Sequence, residues 1–346
     1  MLFWILFLAI IFLTSYPYYC KKRKLGKSAS IIGIIFIIFI SAVRFDVGFD
    51  YQTYYQNIFP SLSPEIDNYE PISKLIIKSS FLLGSPQFQF IVFSILTYGI
   101  AYFAFYKYSK NLWISIILYM SLFYLGTLST IRQGLAMSFI IYGIPYMLRK
   151  EWLKYIIVCI IASLTHSSAL IALAFPLIFS IKHTSLFFVL FVIYNISFNY
   201  LFDNIANSPI LSGYFWYMDK TDLYEGGTKT MYVMIIVVII NLFFSIKNND
   251  AISRRLCYIC LFGSIFPFYF GAHLGGRLAL YFYLPLCFSI PLLINDNVKF
   301  QRICSVLCAI YFILLICIDA SNPRKSSLTP YKTIFEINRN NPNWKQ

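Results

Sequence analysis

Ile31-Ile-Gly-Ile-Ile-Phe-Ile-Ile-Phe-Ile-Ser-Ala-Val43, followed at once by Arg44-Phe-Asp46-Val-Gly48-Phe-Asp50, decides the class of this chain. The first thirteen residues carry no charge, and Met231–Phe244 repeats the pattern; such runs are suited to hydrocarbon rather than to water. Bulk composition agrees, with 59% hydrophobic, 20% aromatic and only 12% charged residues among 346, and a mean hydropathy of +0.69. A soluble domain of this size does not need so much apolar surface. The expected fold is all-α: a polytopic integral membrane protein forming a single membrane domain over residues 1–346.

A spanning helix needs about 20 mostly apolar residues, fewer where it is short or re-entrant. Roughly twelve transmembrane or re-entrant segments follow, near 2–19, 28–43, 86–106, 112–127, 131–148, 153–166, 168–181, 185–201, 229–246, 256–270, 277–294 and 302–319. The first has no positive flank ahead of it and no small-residue cleavage site, so it is expected to be a retained span, not a removed signal.

Orientation follows from the lysines and arginines. One set of short loops holds sixteen of the 28 basic residues, including Lys21–Lys24, Arg149, Lys150 and Arg254–Arg255, against only Glu151, Asp250 and Asp296. These loops are expected to be cytoplasmic. The other face is nearly neutral, so most of the net charge of +14 is a topology signal toward anionic lipid, and nucleic acid is not an expected partner. That other, external face carries the longer segments, about 44–84 and 202–228, and the tail 319–346. Within the first, Pro71–Leu83 is amphipathic enough to lie in the interface or dip back into the protein.

The eight cysteines lie in or beside apolar runs, apart from Cys20 at the basic cluster. Cys257-Tyr-Ile-Cys260 has redox or zinc spacing but no second Cys or His pair, so these thiols are expected to be small buried hydrophobes. There is no internal repeat, phosphate-cradling glycine loop or nucleophile elbow.

Four polar passages interrupt the apolar pattern, all at the external ends of spans. In Arg44-Phe-Asp46-Val-Gly48-Phe-Asp50-Tyr51-Gln-Thr-Tyr54-Tyr55, Gly48 permits a turn close to a ligand, while acids and tyrosines supply acceptors and flat faces suited to sugar rings. The alternative is a polar cap with an interfacial aromatic belt. In Ser129-Thr130-Ile131-Arg132-Gln133-Gly134, an arginine in the first helical turn opposes the macrodipole unless an anion neutralises it; the plainer alternative is a snorkelling side chain. Leu164-Thr165-His166-Ser167-Ser168-Ala169 offers the only side chain that exchanges a proton near neutral pH without perturbation, although a hydrogen-bonded core histidine is the common case. His183, beside Lys182, reads as a solvated loop residue. In Gly271-Ala-His273-Leu-Gly275-Gly276-Arg277, glycines allow close backbone approach and Arg277 opens a span as Arg132 does.

These passages, in this order, resemble the EpsG family of polysaccharide-repeat polymerases, related to Wzy-type O-antigen polymerases. The matching features are R-x-x-x-G-x-D-Y-x-x-Y from Arg44 to Tyr54, Tyr69-Glu70-Pro71, Arg132-Gln133 with Leu135-Ala136, His166-Ser167-Ser168, Arg277 with Tyr281-Phe282, and Pro330-Tyr331-Lys332. Gly276-Arg277 departs from the pattern in lacking an acidic neighbour before the arginine, and Asp46 stands where the pattern is loose.

The resemblance implies a GT-C-like membrane glycosyltransferase without cofactor. It would move a glycan from undecaprenyl pyrophosphate onto a lipid-linked repeat unit at the outer face of the bacterial inner (cytoplasmic) membrane. Its partners would be the lipid-linked oligosaccharide donor and acceptor, the bilayer and a chain-length regulator protein. Arg132 and Arg277 would hold the pyrophosphate with Arg44 assisting or orienting, and His166 would be the general base. Asp46, Asp50, Tyr51, Tyr54, Gln133 and Tyr281 would shape the sugar site, and no metal is required. The rivals are a lipid-linked oligosaccharide flippase or transporter, an O-antigen ligase and a sugar O-acyltransferase. A transporter calls for a central cavity reached from both sides, and an acyltransferase for a cytoplasmic donor site that these short loops do not provide.

Overall fold

Backbone in hydrocarbon must satisfy its own N–H and C=O groups, and helices do this within each segment. The computed structural model describes residues 2–19, 23–56, 69–206, 227–321 and 327–336, and among these it contains helices and turns but no strand. Its helices are α1 (Leu2–Tyr19), α2 (Arg23–Val43), α3 (Tyr51–Gln56), α4 (Pro71–Leu82), α5 (Pro86–Tyr108), α6 (Leu112–Tyr119), α7 (Leu125–Ser129), α8 (Ile131–Leu148) and α9 (Trp152–Ser163). They continue with α10 (Phe175–Phe179), α11 (Thr184–Ala206), α12 (Gly227–Lys247), α13 (Ala251–Gly263), α14 (Phe266–Phe270), α15 (Gly276–Tyr283), α16 (Leu286–Ile294) and α17 (Val298–Ala320).

Five helical stretches among the described residues are long and apolar enough to cross a membrane: Pro86–Tyr108, Leu112–Ser129, Ala251–Phe270, Gly276–Ile294 and Val298–Ala320. Six shorter apolar helices accompany them, and the protein is membrane-embedded. Most of the expected segment 202–228, part of the first external segment (57–68), and the tail at 322–326 and 337–346, lie outside the described residues, as does Cys20.

The expected segments 112–127 and 277–294 are each divided, into α6 and α7 and into α15 and α16, and two others differ from the structure for identifiable reasons. The run expected at 168–181 is not one α-helix but a 3-10 stretch, Ser167–Ala174, leading into the short α10. Pro176, at the start of α10, has no N–H to donate to the preceding turn. The run expected from 256 begins earlier, at Ala251, because the Asp250 carboxylate caps the amides of Ile252 (3.0 Å) and Ser253 (3.2 Å). It then breaks before Pro267, leaving α14 as a separate turn.

Helix α8 packs between α5 and α9, with most of its residues buried. One core cluster (Tyr51, Tyr54, Ile76, Phe90, Ile131 and Leu135 among its members) joins α3, α4, α5 and the start of α8. In the larger core cluster Trp4, Phe7, Tyr124 and Phe312 pack ring against ring, and Phe3 lies face to face with Tyr331 at 4.1 Å between ring centroids. Tyr331 belongs to a tail segment that folds back over the bundle. The Trp4 indole donates to Leu328 O (3.0 Å), the Tyr331 hydroxyl to Ile40 O (2.6 Å), and the Asp319 carboxylate accepts from the amides of Ser327 and Leu328. The tail thus reaches the turn after α2: Phe45 N donates to Lys332 O (2.9 Å) and Gly48 N to Ser327 O (2.8 Å). All seven cysteines that are described are free thiols, five of them buried, so the buried-hydrophobe expectation fits all but Cys304 and Cys317.

Candidate functional site

The turn between α2 and α3 is built around two left-handed residues, Asp46 at φ +52 and Gly48 at φ +106. A Cβ at Gly48 would lie 2.5 Å from Leu128 O, so only glycine lets this turn press onto the end of α7. Phe49 N donates to Ser129 Oγ (3.0 Å) across the same seam. Arg44, 1% exposed, points inward: Nη1 donates to Ser41 O (2.7 Å), Nη2 to Leu128 O (3.3 Å), and the guanidinium lies 4.9 Å from the Phe90 ring centre. Its two Nη groups bind carbonyls at the ends of α2 and α7, bracing the turn that leads into α8, while Nε is buried without a hydrogen-bond partner among the described residues. Asp46 faces outward, accepting from Gln52 Nε2 (2.6 Å) and Lys332 Nζ (3.1 Å).

Thr130, with non-helical φ and ψ, separates α7 from α8 and places Arg132 in the first turn of α8. An arginine there opposes the helix dipole, and the structure supplies the missing anion from the chain itself. Arg132 Nη1 donates to Glu70 Oε2 at 2.7 Å, with the two side chains 18% and 15% exposed. The guanidinium stacks 4.0 Å from the Tyr69 ring centre, and Nε faces the Tyr54 hydroxyl at 3.5 Å. Glu70 immediately precedes Pro71, the first residue of α4.

The other oxygen of Glu70 reaches the polar break after α9. Oε1 accepts from Ser167 N (2.9 Å) and lies 3.1 Å from His166 Nδ1. Burial alone pushes the Glu70 carboxyl up, but the hydrogen bonds from His166 and the Ser167 amide, with the Arg132 charge beside them, hold it at about 2. An ionised carboxylate only accepts, so the hydrogen between the two lies on Nδ1, and Nε2 is the ring nitrogen turned away from Glu70. Glu70 is kept in place by its own backbone neighbours, since Ile72 N donates to Leu164 O (2.9 Å) and Ser73 Oγ to Thr165 O (2.6 Å).

Gln133, next to Arg132 and 2% exposed, donates from Nε2 to the Arg277 carbonyl at 2.6 Å, which brings the start of α15 against the start of α8. Gly275, just before α15, presses instead on α14, where a Cβ would sit 2.2 Å from Phe266 O. The Arg277 guanidinium, 35% exposed, pairs with Asp50 at 3.4 Å. Ser168 Oγ donates to the Tyr281 hydroxyl (3.1 Å), tying α15 to the segment that carries His166. Gln133 Oε1 is buried without a hydrogen-bond partner among the described residues, a state that costs about 1–3 kcal/mol.

Arg132, Glu70 and His166 therefore form one hydrogen-bonded set, which Tyr281 approaches through Ser168; Arg277 and Asp50 form a second pair, joined to the start of α8 by the Gln133 side chain at the Arg277 carbonyl. Asp46 lies at the rim of this group. Tyr51 and Tyr54 lie beneath it, Tyr51 stacked on Phe90 at 4.4 Å, and burial raises the pKa of both phenols. Arg44 is the outlier: it acts through the Leu128 carbonyl and not by presenting its guanidinium. Glu70, which joins Arg132 to His166, was given no site role from the sequence. The available signal was Tyr69-Glu70-Pro71, one of the features matched to the family, with its acid directly before Pro71. A groove of about 660 Å³ lies elsewhere, lined by residues such as Leu177, His183, Leu190 and Phe262, and takes in none of these groups. Among the described residues no three His, Cys, Asp or Glu side chains are grouped to hold a metal.

The fold is that of a helical membrane-embedded protein in which charged and polar side chains gather where several helix ends meet. The EpsG family description matches residues 27–333, most of the chain, and the chain belongs to the EpsG family, which is associated with Wzy-type polymerases. No curated protein and no solved structure matches the chain.

Proposed function

We propose that this protein is a polysaccharide repeat-unit polymerase: a GT-C-like glycosyltransferase of about twelve spans, working at the outer face of the bacterial cytoplasmic membrane on undecaprenyl-pyrophosphate-linked oligosaccharides. One observation carries the proposal: Glu70 joins Arg132 to His166 Nδ1, and Gln133, next to Arg132, holds the backbone of Arg277. The residues that the positive-inside rule assigns to the external face (Asp50, Glu70, Arg132, His166, Arg277 and the tail at Lys332) also belong to one end of the fold, as their mutual contacts show.

In the proposed reaction a sugar hydroxyl of the acceptor repeat gives its proton to His166 Nε2 while its oxygen bonds to the anomeric carbon of the donor glycan. The bond from that carbon to the pyrophosphate oxygen breaks, and its electron pair leaves on the pyrophosphate. Arg132 and Arg277 hold that charge through always-ionised, forked donors. Arg44 orients the turn behind them, while Asp46, Asp50 and Gln133 shape the sugar side, with Tyr51, Tyr54 and Tyr281 as supports.

Deletion of the gene tests the reading. Surface glycans restricted to a single repeat are the expected result. Accumulation of repeats inside the cell would instead indicate a flippase, and unattached long chains a ligase.

A further inference from the structure

Glu70 has two oxygens and three partners, and the way they are divided is informative. One oxygen alone meets Arg132, through a single nitrogen at 2.7 Å, and the other is committed to His166 and the Ser167 amide. A bidentate pair, which adds geometric specificity and energy, would engage the guanidinium fork with both carboxylate oxygens, and this one uses a single oxygen. Here the attachment to Arg132 is one bond, and the attachment to the histidine segment is several. The backbone around Glu70 is pinned to Leu164 and Thr165, not to α8.

We infer that Glu70 is an exchangeable counter-anion: it occupies Arg132 until a diphosphate takes that place, and then serves His166 alone. The inference rests on the polymerase reading above and adds a coupling to it. Displacement of Oε2 by a phosphate oxygen leaves the carboxylate held by the Ser167 amide and the histidine, because those contacts belong to its own side of the site. A carboxylate no longer shared with a guanidinium favours the protonated imidazole more strongly, so His166 becomes a better base only when the leaving group is in place. Glu70 is thus a positioning residue, acting through His166. Its charged and titratable surroundings are Arg132 and His166 directly, Tyr54 and Tyr69 around Arg132, and Tyr281 through Ser168.

The test uses the full-length protein in detergent with inorganic pyrophosphate as the probe, titrated calorimetrically into wild type, Glu70→Gln, Glu70→Asp and Arg132→Ala. Removing a competitor from a partly exposed pair is expected to tighten pyrophosphate binding about 3- to 5-fold in Glu70→Gln. Polymerisation by the same variant is expected to fall on the order of 100-fold, with the acid limb of its pH–rate profile moved to lower pH. Glu70→Asp, one methylene short of spanning both partners, is expected to bind pyrophosphate with intermediate affinity, and it carries the test if Glu70→Gln does not accumulate. Pyrophosphate binding no tighter than wild type in either variant, or an unmoved acid limb, overturns the exchange. Binding by Arg132→Ala equal to wild type overturns instead the pyrophosphate site on which it depends.

Discussion

Replacing Arg132 by lysine keeps the charge and removes the fork, so it separates electrostatics from geometry. In the structure the guanidinium divides its donors, Nη1 to Glu70 at 2.7 Å and Nε toward Tyr54 at 3.5 Å, while its plane rests on Tyr69. An ammonium offers a point charge in place of that plane and lacks the paired, fixed donor directions that a diphosphate would use. Losing one charge-assisted hydrogen bond in the transition state costs about 1.5–3 kcal/mol, or about 10- to 150-fold in kcat/KM. The stacking on Tyr69 weakens too, but it is made equally in the free enzyme and adds little to this difference. The assay is polymer length and turnover by membranes or purified protein, with variant and wild type compared at equal protein level. Activity within twofold of wild type refutes the forked contact as the source of leaving-group stabilisation.

His166→Ala is expected to lower turnover about 100- to 10,000-fold without loss of protein, measured in the same assay; near-normal turnover makes the imidazole structural. Gly48→Ala forces a side chain into a left-handed conformation against the Leu128 carbonyl, so thermal unfolding in detergent should show a loss of about 2–4 kcal/mol, and an unchanged Tm contradicts the tight seam. Glu70 has a folded pKa lowered to about 2, so its ionic contribution is complete above its ordinary value near 4.3 and is lost as pH falls toward 2. The Tm gap between wild type and Glu70→Gln should therefore hold from pH 7 to about 5 and close below about 4; a gap constant down to pH 3 refutes the assignment. Polymerisation by purified protein should persist in a chelator, and activity lost there and restored by Mg²⁺ or Mn²⁺ rejects the metal-free step.

Arg132, His166 and Arg277 were legible in the sequence because a charge or an imidazole at the rim of an apolar run is costly enough to stand out. The helices themselves were legible for the same reason, since long uncharged runs have few other uses. Glu70 was not, because an acid ahead of Pro71 reads equally well as an ordinary partner for a helix N-terminus. Only the docking of α4 against Leu164 and Thr165 turns its carboxylate toward His166. Arg44 was singled out by residue type and position, but its inward orientation could not be read there: the carbonyls that take its two Nη groups come from Ser41 beside it and from Leu128, 84 residues away. Short-range pattern also could not show that Gln133 would grip the carbonyl of Arg277, although both residues were singled out.

The clasp between Ser327–Thr333 and the turn after α2 bears on how the topology should be mapped. A reporter fused to a chain cut short anywhere upstream of Ser327 lacks the strap over Phe45 and Gly48 and the lysine that meets Asp46. Such hybrids would report on a protein whose first extramembrane bend has lost its brace. Labelling of single introduced cysteines in the uncut chain, or insertion of a tag into the 207–226 stretch, leaves the strap intact.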